Sequence, residues 1–463
     1  MLRANVVIER SNIPSVAVTS NDFAAMGNLV ASALGIDGVP LAIYPGVIMT
    51  DSPDAFASKT RSAVADEVIA GLVTGTGTIG AASQPEEPEP ARTDIVAEGE
   101  LDEIHDFFYE RRWSDGLPFV PPTPARVEEF LTHTNRDPSE VLGAMLPDNR
   151  EATVWNTAVN GVMAGCRPEY MPILLAVVEA LADPAFRIRD GGSTPGWEPL
   201  VTVSGKIASE LDFNWGTGAL RVGRRPNATI GRFTRLYMRN IAGLRPPPSA
   251  SDQGAIGTTF NMALAEDEAS TEAVGWEPHR VDRGFEREDD VVTVRSVYSI
   301  SAPIYSGGDH AGHHLEIISR VFGETIGAWC YHAYVYQDWH CLLVLGPSIA
   351  KTIAADGYSK NDVRRYLYDN TLIDSAWVER YAPQVSGKRF DWGALASEGK
   401  APIAYAEATD PHHLVRQFLK PEWIDIIVAG NPGRNQSRAY VGNHGQGVPV
   451  SKRVQRPSPQ VGD

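Results

Sequence analysis

Histidine and cysteine are concentrated in one short part of this chain. Five of its eleven histidines and two of its three cysteines lie between His310 and Cys341, in the phrases DHAGHHLE and AWCYHAYVYQDWHC. Imidazoles and thiols bind divalent transition metals, and imidazoles carry protons near neutral pH. The density of these side chains therefore predicts an enzyme whose site lies in residues 310–341.

The first half of this segment carries a histidine pair with helical spacing. His310 and His314 stand four residues apart, so on a helix both imidazoles share one face and can bind one metal ion, as in the zincin proteases. The general base of that motif is absent, because Ala311 takes its place. Glu316, elsewhere on the predicted helix, is the candidate catalytic carboxylate. The alternative interpretation is a solvated helix start whose histidines contact only water.

The second half of the segment predicts a strand at 328–336 followed by a strand at 341–345. In a strand, Cys330 and His332 point to the same face. A hairpin turn between the strands would place His340 near His332, so that three or four ligand-type side chains share one pocket. Such a pocket suits Zn²⁺, Fe²⁺ or Cu²⁺, with Cys330 as a candidate nucleophile. The alternative is a buried cysteine beside a hydrogen-bonded core histidine.

Two further segments carry candidate chemistry outside the histidine-rich part. Cys166 precedes Arg167, whose charge can lower a thiol pKa, although a simple turn between two helices explains the same phrase. The run 221–239 contains six arginines. Within it, Arg232 and Arg235 are candidates for binding a substrate carboxylate or phosphate, with pairing to surface acids as the alternative. The loop GNPGRN is glycine-rich, as are loops that bind anions through their backbone N–H groups, but it lacks the phosphate-loop and dinucleotide fingerprints.

The patterns of predicted helices and strands along the chain indicate an α/β or α+β protein with three parts. Residues 1–76 are expected to form a small flavodoxin-like unit, 77–98 a linker rich in Gly, Pro and Glu, and 99–463 a larger mixed α/β catalytic region, with a subdomain break near 250–290. Predicted strands are 15–20, 40–44, 200–204, 291–297, 328–336, 341–345 and 424–429. Predicted helices are 22–34, 52–72, 101–112, 156–183 with a break at 165–168, 228–241, 309–322, 348–355 and 360–369, with Asp309 as an N-cap and Ser359 with Asp362 as a capping box.

Composition limits the partners. The formal net charge of −17 argues against nucleic acid, which requires a basic face. No apolar run is long enough to span a membrane. Three cysteines in 463 residues fit a reducing cytoplasm. The two short N-terminal strands leave sheet edges that another part of the same chain, a second copy or a separate redox subunit must cover. Of these, assembly into a homo-oligomer is the expectation.

The opening of the chain resembles a known family. The phrases IERSNIPSVAVTSNDF and ALGIDGVPLAIYPG are similar to the UGSC-type (seleno)protein family, which itself is similar to the catalytic subunits of glycine and proline reductases. The redox cysteine or selenocysteine motif of that family has no counterpart here, since no cysteine precedes Cys166. Residues from about 100 onward, including WSDGLPFVPPT and GCRPEYMP, resemble a set of bacterial proteins for which the resemblance supplies no activity.

Together these features predict a metal-dependent lyase or hydrolase that acts on a small polar organic molecule. Its metal ligands would come from His310, His314, His332 and His340. The resemblance leaves open a second function, as a subunit that docks a separate thiol or selenol redox chain. A non-catalytic binding subunit is the third alternative.

Overall fold

The computed structural model describes residues 13–20, 40–46, 51–74, 93–190, 194–246, 254–442 and 447–457, with a few isolated residues nearer the N-terminus. Within these ranges the chain is an α/β protein with parallel and antiparallel strand pairs, as the sequence predicts. None of the helices described there is both long and apolar enough to cross a membrane.

The N-terminal unit contains a two-stranded parallel sheet and a helical segment. Strand β1 (Ala17–Ser20) pairs with β2 (Leu41–Tyr44) in register from Ala17 to Ser20. Helix α1 (Pro53–Lys59) continues through a π-helical turn into α2 (Ala65–Thr74). These elements confirm the predicted strands and the predicted helix 52–72. The predicted helix 22–34 and most of the predicted linker lie outside the described residues.

The remaining elements alternate between helices and short strands. The helices are α3 (Leu101–Glu110), α4 (Pro124–Leu131), α5 (Val154–Met163), α6 (Met171–Ala182), α7 (Lys206–Glu210), α8 (Arg225–Asn240), α9 (Glu268–Ala273), α10 (His279–Asp282), α11 (Ala311–Ile326), α12 (Tyr331–Tyr336), α13 (Pro347–Ala355), α14 (Lys360–Asn370), α15 (Ser375–Ser386), α16 (Trp392–Ser397) and α17 (Ala404–Glu407). The strands are β3 (Val141–Met145), β4 (Arg150–Thr153), β5 (Glu198–Ser204), β6 (Ala263–Ala265), β7 (Val291–Ile300), β8 (Ile304–Tyr305), β9 (Cys341–Leu345), β10 (Leu372–Asp374), β11 (Leu414–Arg416), β12 (Ile424–Val428), β13 (Gln436–Gly442) and β14 (Val450–Arg453).

One eight-stranded sheet organises this larger region. Its order is β12-β9-β13-β7-β5-β6, with β14 also paired to β7 and β8 to β13. Strand β5 pairs directly with β7 along its whole length, although the predicted subdomain break near 250–290 falls between them in sequence. The parts before and after that break therefore share one sheet.

The sheet is strongly curled. Just beyond β6, the Asp267 N–H donates to the Val428 carbonyl of β12, 2.8 Å away, which links the two ends of the strand order. On the concave side, the Arg295 guanidinium of β7 reaches Asp425 of β12 at 2.9 Å across two intervening strands. Apolar side chains from six strands fill this side; they are Leu200, Leu264, Val297, Leu342, Val344, Ile427 and Tyr440.

Two helical layers cover the convex side. Helices α5, α6 and α8 pack on one half of the sheet and bury side chains such as Val201 and Val294 in a large apolar core. Helices α11, α13 and α14 pack on the other half, over Leu343 and Ile426. Strand side chains alternate between the two faces of a sheet. In β9 and β12 every second side chain, such as Leu343 and Ile426, enters the core under the helices. The side chains between them, such as Leu342 and Ile427, enter the concave cluster. This double burial explains their continuous apolar sequences.

The predicted strand at 328–336 is wrong. The chain forms a 3₁₀ turn at Gly327–Cys330 and then helix α12, so the proposed hairpin with β9 does not exist. Cys330, Tyr331, Ala333 and Tyr334 are all buried, and a segment that is apolar on every side shows neither helical nor strand periodicity. Gln337, in the left-handed region at φ 60°, ends the helix.

Candidate functional site

The histidine-rich segment begins at the N-terminus of α11. His310 is the residue before the first helical turn, not a residue within it, and Asp309 does not act as the cap. The carboxylate of Asp356 instead accepts a hydrogen bond of 2.6 Å from the Ala311 N–H. A carboxylate at this position satisfies an unpaired backbone donor and interacts favourably with the helix dipole.

The structure separates His310 from His314. His314 is fully buried, with Nδ1 2.8 Å from the Ser306 hydroxyl and Nε2 3.2 Å from the Gly308 carbonyl oxygen. Burial lowers its pKa. His310 lies outside the helix with 66% of its side chain exposed, so the four-residue spacing does not bring the two imidazoles to one face. His314 therefore holds the preceding loop against α11.

A different histidine joins His310. The rings of His310 and His313 are 5.7 Å apart between centroids. Asp309 Oδ1 lies 3.8 Å from His310 Nε2 and 3.9 Å from His313 Nδ1, and Asp356 Oδ2 lies 3.6 Å from His310 Nδ1. We call Asp309, His310, His313 and Asp356 the His–Asp cluster. Gly308, at φ +113°, permits this arrangement, because a β-carbon there would overlap the His313 ring.

A groove of about 480 Å³ adjoins the His–Asp cluster. Asp356 belongs to both, and the other residues that line the groove come from the turn after α13 and from α14; they are Gly357, Tyr358, Asp362, Arg365, Tyr366, Asp369 and Asn370. Burial and the nearby negative charge of Glu316 raise the pKa of Tyr366. Glu316 thus lies close to the groove wall, on the exposed side of α11. The groove carries acidic, phenolic and guanidinium groups beside two imidazoles.

The other predicted ligands lie elsewhere. His332 is buried among aromatic rings, with centroid distances of 3.9 Å to Tyr331 and 4.5 Å to Trp329. His340 Nε2 lies 2.8 Å from Asp338 Oδ1. Across the described ranges, no three histidine, cysteine, aspartate or glutamate side chains stand in position to hold one metal ion. The structure therefore does not bring His310, His314, His332 and His340 together.

Cys330 is a poor nucleophile in this structure. Its side chain is fully buried in the core beneath α11, and burial raises the pKa of the thiol to about 12. Because the thiolate is the reactive form, Cys330 remains a protonated core thiol at neutral pH. Burial also raises the thiol pKa to about 12 in Cys341, which is fully buried, and in Cys166, which is partly exposed.

The two predicted substrate arginines make internal contacts. Arg232 binds Asp115 through Nε and Nη2, both at 2.8 Å, and also donates to the Pro118 carbonyl at 3.0 Å. Arg235 Nε lies 3.5 Å from Glu198 Oε1. The Arg232 contacts fasten the loop WSDGLP to α8, and the Arg232 charge also acts on Cys166. The loop WSDGLP and the turn at Cys166, which are far apart in sequence, therefore meet at α8. Arg232 has a structural role there, because it holds these segments together.

The glycine-rich loop after β12 uses its own polar groups internally. The Gly430 N–H donates to the Trp215 carbonyl, the Gly433 N–H donates to the Asn431 side chain, and the Arg434 carbonyl accepts from the Ser348 hydroxyl. The Arg434 N–H also donates within the loop, to the Asn431 carbonyl, so three of the loop's backbone donors have internal acceptors. The loop closes one end of the curled sheet.

Asp356, Arg365 and Tyr366 are the groove residues that the sequence does not indicate. Asp356 follows Ala311 by 45 positions and reaches it only through packing of α13 against α11. His313 lies inside the recognised phrase, but its importance depends on where α11 begins. Comparisons with family models, curated proteins and solved structures gave no match. The resemblance of the N-terminal residues to the UGSC-type family therefore stays a prediction.

Proposed function

We propose that the chain is a metal-dependent hydrolase or lyase whose site is the His–Asp cluster together with the adjoining groove. The observation that carries this proposal is the placement of two imidazoles and two carboxylates at the edge of a groove that also contains Arg365 and Tyr366. The proposed ligands differ from those the sequence suggests, since His313 replaces His314 and Asp309 replaces His332 and His340, with Asp356 placed to orient the His310 ring.

The donor set suits a divalent metal. Imidazole nitrogen and carboxylate oxygen bind Zn²⁺ or Fe²⁺, and Cu²⁺ also accepts them. The two carboxylates lie at opposite edges of the His310 ring, since Asp309 is 3.8 Å from Nε2 and Asp356 is 3.6 Å from Nδ1, so one metal ion on His310 could take only one of them as a ligand. A metal ion on Nε2 would share Asp309 with His313, whose Nδ1 is 3.9 Å from that carboxylate, once these side chains rotate into a site that the described residues do not already form. Asp309, His310 and His313 are mostly exposed, which leaves their side chains free to rotate. Asp356, held by the Ala311 N–H, would then accept a hydrogen bond from His310 Nδ1 and orient the ring.

The groove supplies groups for a small anionic substrate. Arg365 can bind a carboxylate or phosphate. The phenol of Tyr366 is protonated at neutral pH, and burial and the Glu316 charge raise its pKa further, so it can donate a hydrogen bond to a substrate oxygen. Glu316 is the candidate base beside it. A divalent metal bound at the cluster would polarise a substrate oxygen or lower the pKa of a bound water.

Metal binding tests the proposal. We expect the purified chain, reconstituted with Zn²⁺ and desalted, to retain about one metal ion per chain, and the double variant His310→Ala/His313→Ala to lose it. His412→Ala is a matched control, because His412 is another exposed histidine with a carboxylate partner, Asp374, at 2.9 Å. Elemental analysis and calorimetric titration measure both. Absence of stoichiometric metal from the wild type, or full retention by the double variant, would contradict the proposal.

We infer further that the chain assembles into a homo-oligomer. Among the described strands β1 and β2 pair only with each other, and α2 exposes Ile69 and Val73 to 60% and 78%. An apolar helix face, beside strands that have no further partner among the described residues, favours association.

Light scattering at micromolar concentration is expected to give a multiple of the chain mass, and Ile69→Lys/Val73→Lys a lower mass. Val222→Lys, at a residue that is 84% exposed elsewhere, serves as the control and should not change the mass. A strictly monomeric wild type would refute assembly.

A further inference from the structure

A second cluster of charged side chains lies on the concave side of the curled sheet, beside α10. His279 starts that helix, Arg283 follows it, Arg295 belongs to β7 and Asp425 to β12. Three of them converge on a single oxygen of the fourth. Asp425 Oδ2 lies 2.9 Å from Arg295 Nη1, 3.7 Å from His279 Nε2 and 3.8 Å from Arg283 Nη1. None of these residues belongs to the His–Asp cluster.

This cluster has more positive than negative charge. Burial lowers the pKa of His279 to about 4, so its imidazole is neutral at physiological pH. Two guanidinium groups then face one carboxylate. Beyond these groups, Lys360 also acts on His279 and has two carboxylate partners, Asp282 at 3.0 Å and the buried Glu266 at 3.7 Å. Glu266 also accepts a hydrogen bond of 2.7 Å from the His279 N–H. The Asp425 carboxylate thus faces two guanidinium groups in a region that water scarcely reaches.

One donor of the cluster has no acceptor. Arg295 is 97% buried, and its Nε–H makes no hydrogen bond to any group that the structure describes. Of the other guanidinium nitrogens, Nη1 donates to Asp425, and Nη2 lies 3.4 Å from His279 Nε2. A buried, charged donor without an acceptor costs free energy that a ligand acceptor would recover.

The cluster is open to solvent at one point. Arg283 retains 23% exposure of its side chain, while its partners are buried. Beside it, the Ser451 hydroxyl accepts from Arg283 Nε at 3.2 Å and lies 2.8 Å from the Thr293 hydroxyl. Arg283 Nη2 donates to the Pro449 carbonyl at 2.6 Å, so Nη1, 3.8 Å from Asp425, is the terminal nitrogen that remains for an anion. Guanidinium forks and hydroxyls are the groups that proteins use to bind carboxylate and phosphate oxygens. Arg283 provides the entry, and Arg295 provides the buried donor.

We propose that the cluster of His279, Arg283, Arg295 and Asp425 is a binding site for a small oxyanion, a carboxylate or a phosphate. The anion supplies the second negative charge that two guanidinium groups require and joins α10 to the curled sheet. The site stands apart from the groove and does not depend on a metal.

Anion binding can be measured directly on the full chain. In buffer with a metal chelator and constant ionic strength, isothermal titration with sodium phosphate and with sodium acetate is expected to show saturable binding by at least one of them in the millimolar range or below. Thermal unfolding should rise with the same anion and not with equivalent chloride, because a ligand that binds the folded state stabilises it. Binding of phosphate alone identifies a phosphate site, and binding of acetate identifies a carboxylate site.

Two arginine variants locate the site. Arg283→Gln should weaken binding about tenfold or more, the loss expected for one charged hydrogen-bond donor. Arg287→Gln is the matched control, because Arg287 lies four residues away, is half exposed and pairs with Glu272 and Glu277; it should bind as the wild type does. If neither anion binds wild-type protein at millimolar concentration, or if both variants bind equally, the oxyanion site does not exist.

Discussion

Replacing Gly231 by alanine is expected to destabilise the folded chain by about 3 kcal/mol or more. Gly231 lies in the middle of α8, where the helix backbone passes directly against the segment leading into β6. A β-carbon at this position would overlap the backbone of Asn261 and Met262. Backbone cannot rotate away as a side chain can, so the cost lies at or above the upper end of the range for overpacked cores. Denaturant unfolding, followed by circular dichroism, measures the change.

A second glycine provides the matched control. Gly312 lies in the first turn of α11, it is exposed, and a β-carbon there would contact nothing within 4 Å. Gly312→Ala should therefore stabilise the chain by up to about 1 kcal/mol, since alanine favours the helix. If Gly231→Ala proves neutral while Gly312→Ala behaves as expected, the close approach of α8 to β6 is wrong.

The stability of the chain is expected to fall by about 3 kcal/mol between pH 7.5 and pH 4 because of His279 alone. Burial lowers the pKa of this histidine from 6.5 to about 4 in the folded chain. Below pH 6.5 the unfolded chain binds a proton at this position that the folded chain does not bind. The stabilisation is therefore complete above pH 6.5, decreases as the pH falls, and is lost at about pH 4.

Substitution separates this histidine from the other titrating groups. His279→Asn should be less stable at pH 7.5, because it loses the ring that packs beside Arg295 and Asp425, but it should lose less additional stability on acidification. His412→Asn is the control. The pKa of the exposed His412 is raised by Asp374, so removing this histidine should not reduce the loss of stability on acidification. Equal pH profiles for wild type and His279→Asn, measured by urea unfolding, would count against a neutral buried His279.

Local signals explain which elements the sequence predicts well. The capping box of Ser359 and Asp362 forms as expected, because both hydrogen bonds lie within one helical turn. The buried runs at β9 and β12 are recognisable as strands, since each is short, apolar and flanked by loop residues. These features depend on neighbours within a few residues, which a sequence displays directly.

The candidate site is harder to predict because tertiary contacts define it. Asp356 reaches the start of α11 from 45 positions away, and the same contact helps to place His310 outside the helix. That shift exchanges His314 for His313 as the partner of His310. Likewise, Arg232 donates its hydrogen bonds to Asp115, which is 117 positions away in the sequence. An arginine that the sequence marks as a substrate ligand therefore serves to hold two segments of the fold together. Spacing along the chain cannot reveal which charged groups already have partners.

The position of β7 has a consequence for how the chain acquires its structure during synthesis. On one side β7 pairs with β5, but on its other side both partners, β13 and β14, come from residues 436–453. A growing chain must therefore carry one unpaired edge of a long strand, most of which is buried in the finished fold, while more than a hundred further residues are made. Unpaired edges recruit other chains, and pairings between distant segments form slowly. Recovery of soluble protein should accordingly depend more on translation speed and chaperone supply than on the stability of the finished fold.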